Sequence, residues 1–355
     1  MKSVGVKKKL MRFFWILLGF TLVYQAGRTF FLEEEREVRN HAYETVKLLL
    51  PDLWEKASDQ YGLFCFNGSQ KPMQKCSNAV KPDTVILIHG LDEPGLIFES
   101  LAPALYRKGY TVLFFFYPND QNIDASSRLL FKHLSSRAFS GPVVLVGHSM
   151  GGLVSRHMLV DPGIGFARAK ALNRVPEISD LIMVGTPNRG AFLARFRLFM
   201  EIRDQYLRLT AHKWHGLSAL MDGTGAAGID LLPQSEFIKH LNSRLHAEGT
   251  RYHMIAGQIF PFCLKLPIHI QMTGDQTLQD LLPAENNFFM SVMYKTGLLI
   301  GDGLVSVPSA VPFNVPVTLV KGNHKTILAN WFSGSPRMPP AIPVIFNILA
   351  HRKNN

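Results

Sequence analysis

Past residue 82 the chain alternates between two hydrophobic patterns. Thr84–His89 (TVILIH), Thr111–Tyr117, Val143–Val146 and Leu181–Val184 are short, nearly unbroken apolar runs, as expected of strands buried on both faces. Ile97–Lys108, Ile123–Ser136 and Gly151–Val160 place apolar residues at helical spacing. Tyr252–Ala256 and Val317–Val320 continue the strand series. Strand–helix alternation predicts an α/β fold with a mostly parallel central sheet and helices on both faces. From Gly190 to about Gly249 the alternation stops. Phe192–Leu209 mixes large apolar residues with arginines at helical spacing, and Leu231–Leu241 gives a second helical stretch. This block is expected to form a helical cap inserted over the sheet, and a second irregular insertion runs from about Phe260 to Ile300.

The first residues follow a different pattern. Lys2, Lys7, Lys8, Lys9 and Arg12 precede the apolar run Phe13–Tyr24. Extended to Leu10–Ala26, the run reaches about 17 residues, the short end of the roughly 17–25 that span a bilayer. Three readings are open: an uncleaved anchor, a cleaved signal peptide and a buried N-terminal helix of a soluble protein, which the Lys-rich flank beside a Trp- and Phe-rich run argues against. Tyr24 and Gln25 before Ala26 match a small-residue cleavage site poorly, which favours the anchor. Glu33, Glu34 and Glu35 follow a single Arg28. The excess of basic residues on the N-terminal side then puts that end in the cytosol and the rest across the membrane, in the periplasm if the source is bacterial. The expected organisation is a basic tail and anchor over 1–27, a juxtamembrane spacer over 28–81, an α/β domain over 82–335 with its cap at about 190–250, and a C-terminal tail over 336–355. Pro339–Leu349 is apolar and Pro-rich, and can pack on the core or touch a membrane.

Composition narrows the class. Apolar residues make up 47% and charged residues 18%, which fits a globular chain with a large core. The net charge of +11 raises the question of an anionic partner. No C₂H₂ finger, RNP-like aromatic pattern or dense basic face points to nucleic acid. A basic run next to an apolar span fits a membrane surface better. Of three cysteines, Cys65 and Cys76 lie close enough to close a small disulfide loop, which leaves Cys263 over. No Cys/His spacing suggests zinc. No Walker A run or GxGxxG is present to cradle a nucleotide, so no cofactor is expected.

The chemistry centres on Gly147-His148-Ser149-Met150-Gly151, which lies between a strand and a helix. A G-x-S-x-G sequence there fits a sharp turn that lifts the serine hydroxyl above the sheet, which makes Ser149 the candidate nucleophile. His89-Gly90-Leu91 closes an upstream strand, so the N–H groups of Leu91 and Met150 are candidates for an oxyanion hole. A serine hydroxyl needs a base at neutral pH. His324, in Gly322-Asn323-His324 after the last strand, occupies the expected place. Asp302, between two glycines and between serine and histidine in chain order, is the candidate acid, with Asp275 as its rival.

These segments, with Gly185-Thr186-Pro187-Asn188-Arg189-Gly190 and Asp302-Gly303-Leu304-Val305, resemble the α/β-hydrolase superfamily and within it the lipases and esterases. The Asp-Gly-Leu-Val and Asn-His elements are similar to those of bacterial triacylglycerol lipases. Val85–Asp120 is similar to bacterial relatives of lipases that deacylate GPI-anchor inositol. The resemblance implies an α/β-hydrolase fold and a Ser149–His324–Asp302 triad. It also marks a departure: those bacterial lipases carry a calcium-binding Asp two residues after the catalytic His, where this chain has Thr326, so no metal is expected.

The leading expectation is hydrolysis of carboxylic esters, lipid acyl esters above all, through an acyl-enzyme on Ser149. Acyl transfer or thioester hydrolysis by the same triad, and an inactive membrane-tethered binding module, are the alternatives. The sequence leaves oligomeric state, acyl chain length and head group open.

Overall fold

In a computed structural model, the described residues are 37, 41, 45, 48, 49, 51 and most of 59–353, outside 69–73, 77–78, 92–94, 119–120, 192–225, 245, 260–268, 272–295, 312–314 and 333. Residues 1–51 and 52–355 form two separate units, and the sheet and all its helices belong to the second. The expected Leu10–Ala26 anchor and the expected helix over Phe192–Leu209 lie outside the described residues. Among the described residues no helix is long and apolar enough to cross a membrane.

The strands are β1 (Gly62–Cys65), β2 (Gln74–Lys75), β3 (Ala79–Val80), β4 (Thr84–Ile88), β5 (Thr111–Phe116), β6 (Ala138–Phe139), β7 (Val143–His148), β8 (Ile178–Val184), β9 (Arg251–Gln258), β10 (His269–Gln271) and β11 (Pro316–Lys321). Nine of them form one sheet in the order β10-β11-β9-β8-β7-β4-β5-β1-β2. The six inner strands from β11 to β5 run parallel, while β1, β2 and β10 add antiparallel edges. Cys65 on β1 and Cys76, just beyond β2, are joined in a disulfide with Cα atoms 5.0 Å apart.

The unbroken apolar runs have a direct cause. Successive side chains point to opposite faces, and both faces are covered. On β4, Ile86 and Ile88 enter one core while Val85 and Leu87 enter the other; on β7, Val143 and Leu145 oppose Val144 and Val146. The first face is covered by helices α2 (Ile123–Ser135), α3 (Met150–Val160) and α4 (Phe166–Ala171), through residues such as Leu130, Leu153 and Phe166. The second is covered by α1 (Leu101–Arg107) through Leu101 and Leu105.

Helix boundaries follow local chemistry. The expected helix Ile97–Lys108 is instead a 3₁₀ turn at Leu96–Phe98 followed by α1. Pro103 lacks an N–H and its ring would clash with the carbonyl of residue 99, so it is confined to the first turn of a new helix. Of the expected helical stretch Leu231–Leu241 only the later part is helical, as α6 (Glu236–Asn242), while a separate helix, α5 (Ala226–Asp230), ends just before it. Pro233 and Gln234, the latter at φ 65°, interrupt the helix. Ser235 starts α6 by accepting the Ile238 N–H at 3.1 Å. The buried Asp230 carboxylate accepts the Ile123 N–H at 2.8 Å, placing negative charge at the positive end of α2.

The short helix α7 (Val307–Ala310) comes next, and the final stretch, expected as a tail, forms helix α8 (Ala341–Lys353). Ala341, Ile342, Ile345 and Leu349 complete the second core. Pro343 sits in its first turn, where no intrahelical partner for an N–H exists. Ile345→Ala is expected to lower stability by about 2–5 kcal/mol. Urea unfolding measures this, and a loss under about 0.5 kcal/mol, as at ordinary surface sites, would show that α8 is dispensable.

Candidate active site

The candidate residues meet at the carboxyl ends of the parallel strands, the edge where open α/β sheets hold their ligands. Ser149 follows β7 directly at φ 51° and ψ −123°, a strained conformation for a residue with a side chain. The strain is held from both sides. The Ser149 N–H donates to the Val184 carbonyl at 2.9 Å, and the Ser149 carbonyl accepts the Gly152 N–H at 3.1 Å. Gly147 and Gly151 are required by close approach: a Cβ on Gly147 would lie 2.5 Å from the Gly152 nitrogen, and one on Gly151 would lie 2.5 Å from the His89 carbonyl oxygen.

The candidate oxyanion side is held by contacts of His89 and Tyr117 that the sequence did not reveal. His89 stacks on Tyr117 with ring centres 4.3 Å apart, and the Tyr117 hydroxyl donates to the His89 carbonyl at 2.6 Å. The His89 Nδ1–H donates to the Gly90 carbonyl at 2.8 Å. Leu91 lies in the turn that follows β4, and Met150 is the first residue of α3. A first-turn N–H has no intrahelical acceptor. Among the described residues, neither of these two N–H groups has a hydrogen-bond acceptor.

The candidate acid and the candidate base come together. His324 Nδ1–H donates to Asp302 Oδ2 at 2.7 Å, and His324 N–H donates to the Asp302 carbonyl at 2.9 Å. The other carboxylate oxygen, Oδ1, accepts N–H bonds from Leu304 at 2.9 Å and Val305 at 2.7 Å. Burial pushes the Asp302 pKa up, but His324 and the two N–H donors outweigh it, leaving it below the usual carboxylate value. Gly257 forms the wall behind, where a Cβ would lie 2.7 Å from that of Asp302. Asn323 Oδ1 accepts the N–H groups of Lys325 and Thr326, and Thr326 Oγ1 accepts the Asn323 N–H at 2.9 Å. Thr326 therefore serves as a turn-closing side chain. The rival Asp275 and the third cysteine, Cys263, lie outside the described residues.

His148, the neighbour of Ser149, is buried, and its Nε2 lies 3.0 Å from the His324 carbonyl. Burial lowers the His89 pKa to about 4, partly offset by the Gly90 carbonyl, and lowers that of His148 to about 3. Both rings are neutral in the fold, whereas an unfolded chain protonates them near 6.5. The unfolded state thus binds more protons below pH 6.5, and stability falls as pH drops from 6.5 towards the folded values. Each histidine is expected to cost about 2 kcal/mol between pH 7 and 5. Urea midpoints at the two pH values test this, and equal midpoints would contradict it.

Away from this edge, Asp124, His157 and Asp161 bring potential ligand atoms within 4.8 Å of one another. His157 Nε2 lies 3.0 Å from one Asp124 oxygen, and Arg128 Nε donates to the other at 2.8 Å. Asp124 is held near pKa 2, chiefly by His157. The cluster is an internal ion-paired group with a cation already in place.

Residues 127–217 match a family described as the PGAP1-like alpha/beta domain, less than half of the chain. No curated protein matches the sequence. Among solved structures, the chain is similar to a Bacillus licheniformis lipase in mature form, at 19% identity over 76% of this chain and 94% of that one, with a TM-score of 0.46. It is also similar to a Staphylococcus hyicus lipase, at 12% identity over 79% and 97%, with a TM-score of 0.48. A metagenomic carboxyl esterase is similar at 18% identity over 78% and 73%, with a TM-score of 0.45. The parallel sheet with β4 between β5 and β7, the strained serine directly after β7, and the buried pairing of Asp302, before β11, with His324, after it, give this chain the α/β-hydrolase fold, and the solved structures it is similar to include lipases and a carboxyl esterase.

Proposed function

We propose that this protein hydrolyses carboxylic esters with an apolar acyl chain through an acyl-enzyme on Ser149. The observation that carries the reading is the buried Asp302–His324 pair on the strand edge that also carries the elbow serine. As Ser149 Oγ attacks the ester carbonyl carbon, His324 Nε2 takes its proton. The carbonyl π electrons move to the oxygen, where the N–H groups of Leu91 and Met150 hold the negative charge. Collapse expels the alcohol, which leaves with the proton from His324. Water then attacks the acyl-enzyme with His324 again as base, releasing the acid and restoring the serine. Asp302 holds the Nδ1–H tautomer throughout.

Two further features support a lipid substrate met outside the cytosol. Ile259, Leu299, Ile300 and Leu304 are exposed beside the acid loop, a setting suited to an acyl chain. The Cys65–Cys76 disulfide fits an oxidising compartment, in line with a catalytic domain on the non-cytosolic side of a membrane.

The test is hydrolysis of p-nitrophenyl esters from acetate to palmitate by the full chain, paired with Ser149→Ala. Activity that rises with chain length and disappears in the variant is expected. If wild type and variant are folded and equally inert, the hydrolase reading fails.

A further inference from the structure

Between the two halves of the site lies a third buried histidine that the mechanism does not use. His148 occupies the first variable position of the elbow and is 1% exposed. Its Nε2 edge faces the base loop, 3.0 Å from the His324 carbonyl oxygen. A carbonyl only accepts, so Nε2 carries the proton and donates. The two imidazole rings also lie against each other, with centres 4.7 Å apart at 48°. Its Nδ1 edge faces the oxyanion loop: a Cβ on Gly90 would lie 3.3 Å from His148 Nδ1 and 2.8 Å from Ser149 Cβ. One ring therefore touches the loop after β11, the loop after β4 and, through the chain, the serine.

We infer that His148 is a positioning residue for the reaction proposed above: a buried Nε2–H imidazole that clamps the His324 backbone and sets the spacing between the base loop and the oxyanion loop. The inference rests on that reading of the site. The geometry says why a histidine is suited to this place. Its ring fills the gap between two loops, as Phe would, while its edge supplies a donor, as Gln would. Burial keeps the ring neutral by lowering its pKa to about 3, so that it donates without placing a charge beside His324. Loosening the clamp would leave Ser149 and Asp302 in place and let the His324 ring drift, and misplacement near 1 Å costs on the order of 100-fold in rate.

The test uses the full chain and three readouts. Active sites are counted by fluorophosphonate labelling, and kcat is expressed per labelled site. His148→Phe is expected to lower that kcat about 10- to 100-fold with KM nearly unchanged, and to shift the low-field proton signal of the His324–Asp302 hydrogen bond. His148→Gln, which keeps a donor at similar reach, is expected to recover most of the rate and the signal. In wild type, nitrogen-15 histidine spectra are expected to show His148 as the neutral Nε2–H tautomer between pH 5 and 8, assigned by its loss in His148→Gln. An Nδ1–H tautomer would overturn the inference even if His148→Phe does not fold. So would a His148→Phe protein with wild-type kcat per site and an unmoved low-field signal, or a Gln variant no better than Phe. If wild type takes no label and cleaves no ester, the hydrolase reading fails instead, and the tautomer still decides the clamp.

Discussion

Ser149→Ala should lower kcat for p-nitrophenyl esters by about 10⁵- to 10⁶-fold while leaving the protein folded. The size follows from what is removed. No other hydroxyl sits on the elbow, and without Oγ no acyl-enzyme forms. What remains is attack by water, aided by His324 and the oxyanion donors, which is worth a residual 10³- to 10⁴-fold over solution. The fold should survive because the elbow is held by main-chain bonds, from the Ser149 N–H to Val184 and from the Gly152 N–H to the Ser149 carbonyl. Alanine keeps the Cβ that Gly90 accommodates. Steady-state rates and fluorophosphonate stoichiometry check this together. A variant that keeps more than a few per cent of the activity, or still takes the label at one per chain, would mean that another nucleophile does the chemistry.

Asp302→Asn should cost about 10⁴-fold in kcat, and the reason lies in the orientation of the carboxylate. Oδ1 accepts two main-chain N–H groups, so an asparagine there must keep its carbonyl oxygen on that side. Its NH₂ group is then forced towards His324 Nδ1, now a donor where an acceptor stood 2.7 Å away. His324 can accept that bond only by moving its proton from Nδ1 to Nε2. The nitrogen meant to take the serine proton would then already carry one. KM should change little, since the substitution is nearly isosteric and remote from an acyl chain. A rate within tenfold of wild type would remove Asp302 from the acid role.

Much of this was legible in the sequence, for a reason visible in the packing. The inner strands are buried on both faces, so their apolar runs are unbroken, and β4, β5, β7 and β8 were placed to within a few residues. The candidate triad was legible because an elbow needs glycines at fixed spacing and because acid and base come in a set chain order. Three things were not legible. Strand β1 reads as turn-rich through Gly62, Asn67 and Gly68, and is held as a strand by pairing with β5 and by the disulfide. Helix α8 is masked by Pro339, Pro340 and Pro343, which are harmless only because they precede it or sit in its first turn. His148, Tyr117 and Gly257 owe their roles to contacts with distant segments, as when His148 meets a residue 176 positions later, and no local pattern records such a meeting.

The two-faced sheet also bears on how the protein is made. Ribosomes deliver β4, β7 and the elbow early, and the first face can be covered soon afterwards by α2 and α3. Val85, Leu87, Val144 and Val146 point the other way, and Ile342, Ile345 and Leu349 of α8 reach them only after nearly two hundred further residues have been synthesised. At the ~5–20 residues per second of translation, that apolar face stays incompletely covered for roughly 10 to 40 seconds. The loop after β11 arrives in the same late portion, so the elbow with Ser149 is synthesised well before His324, its candidate base.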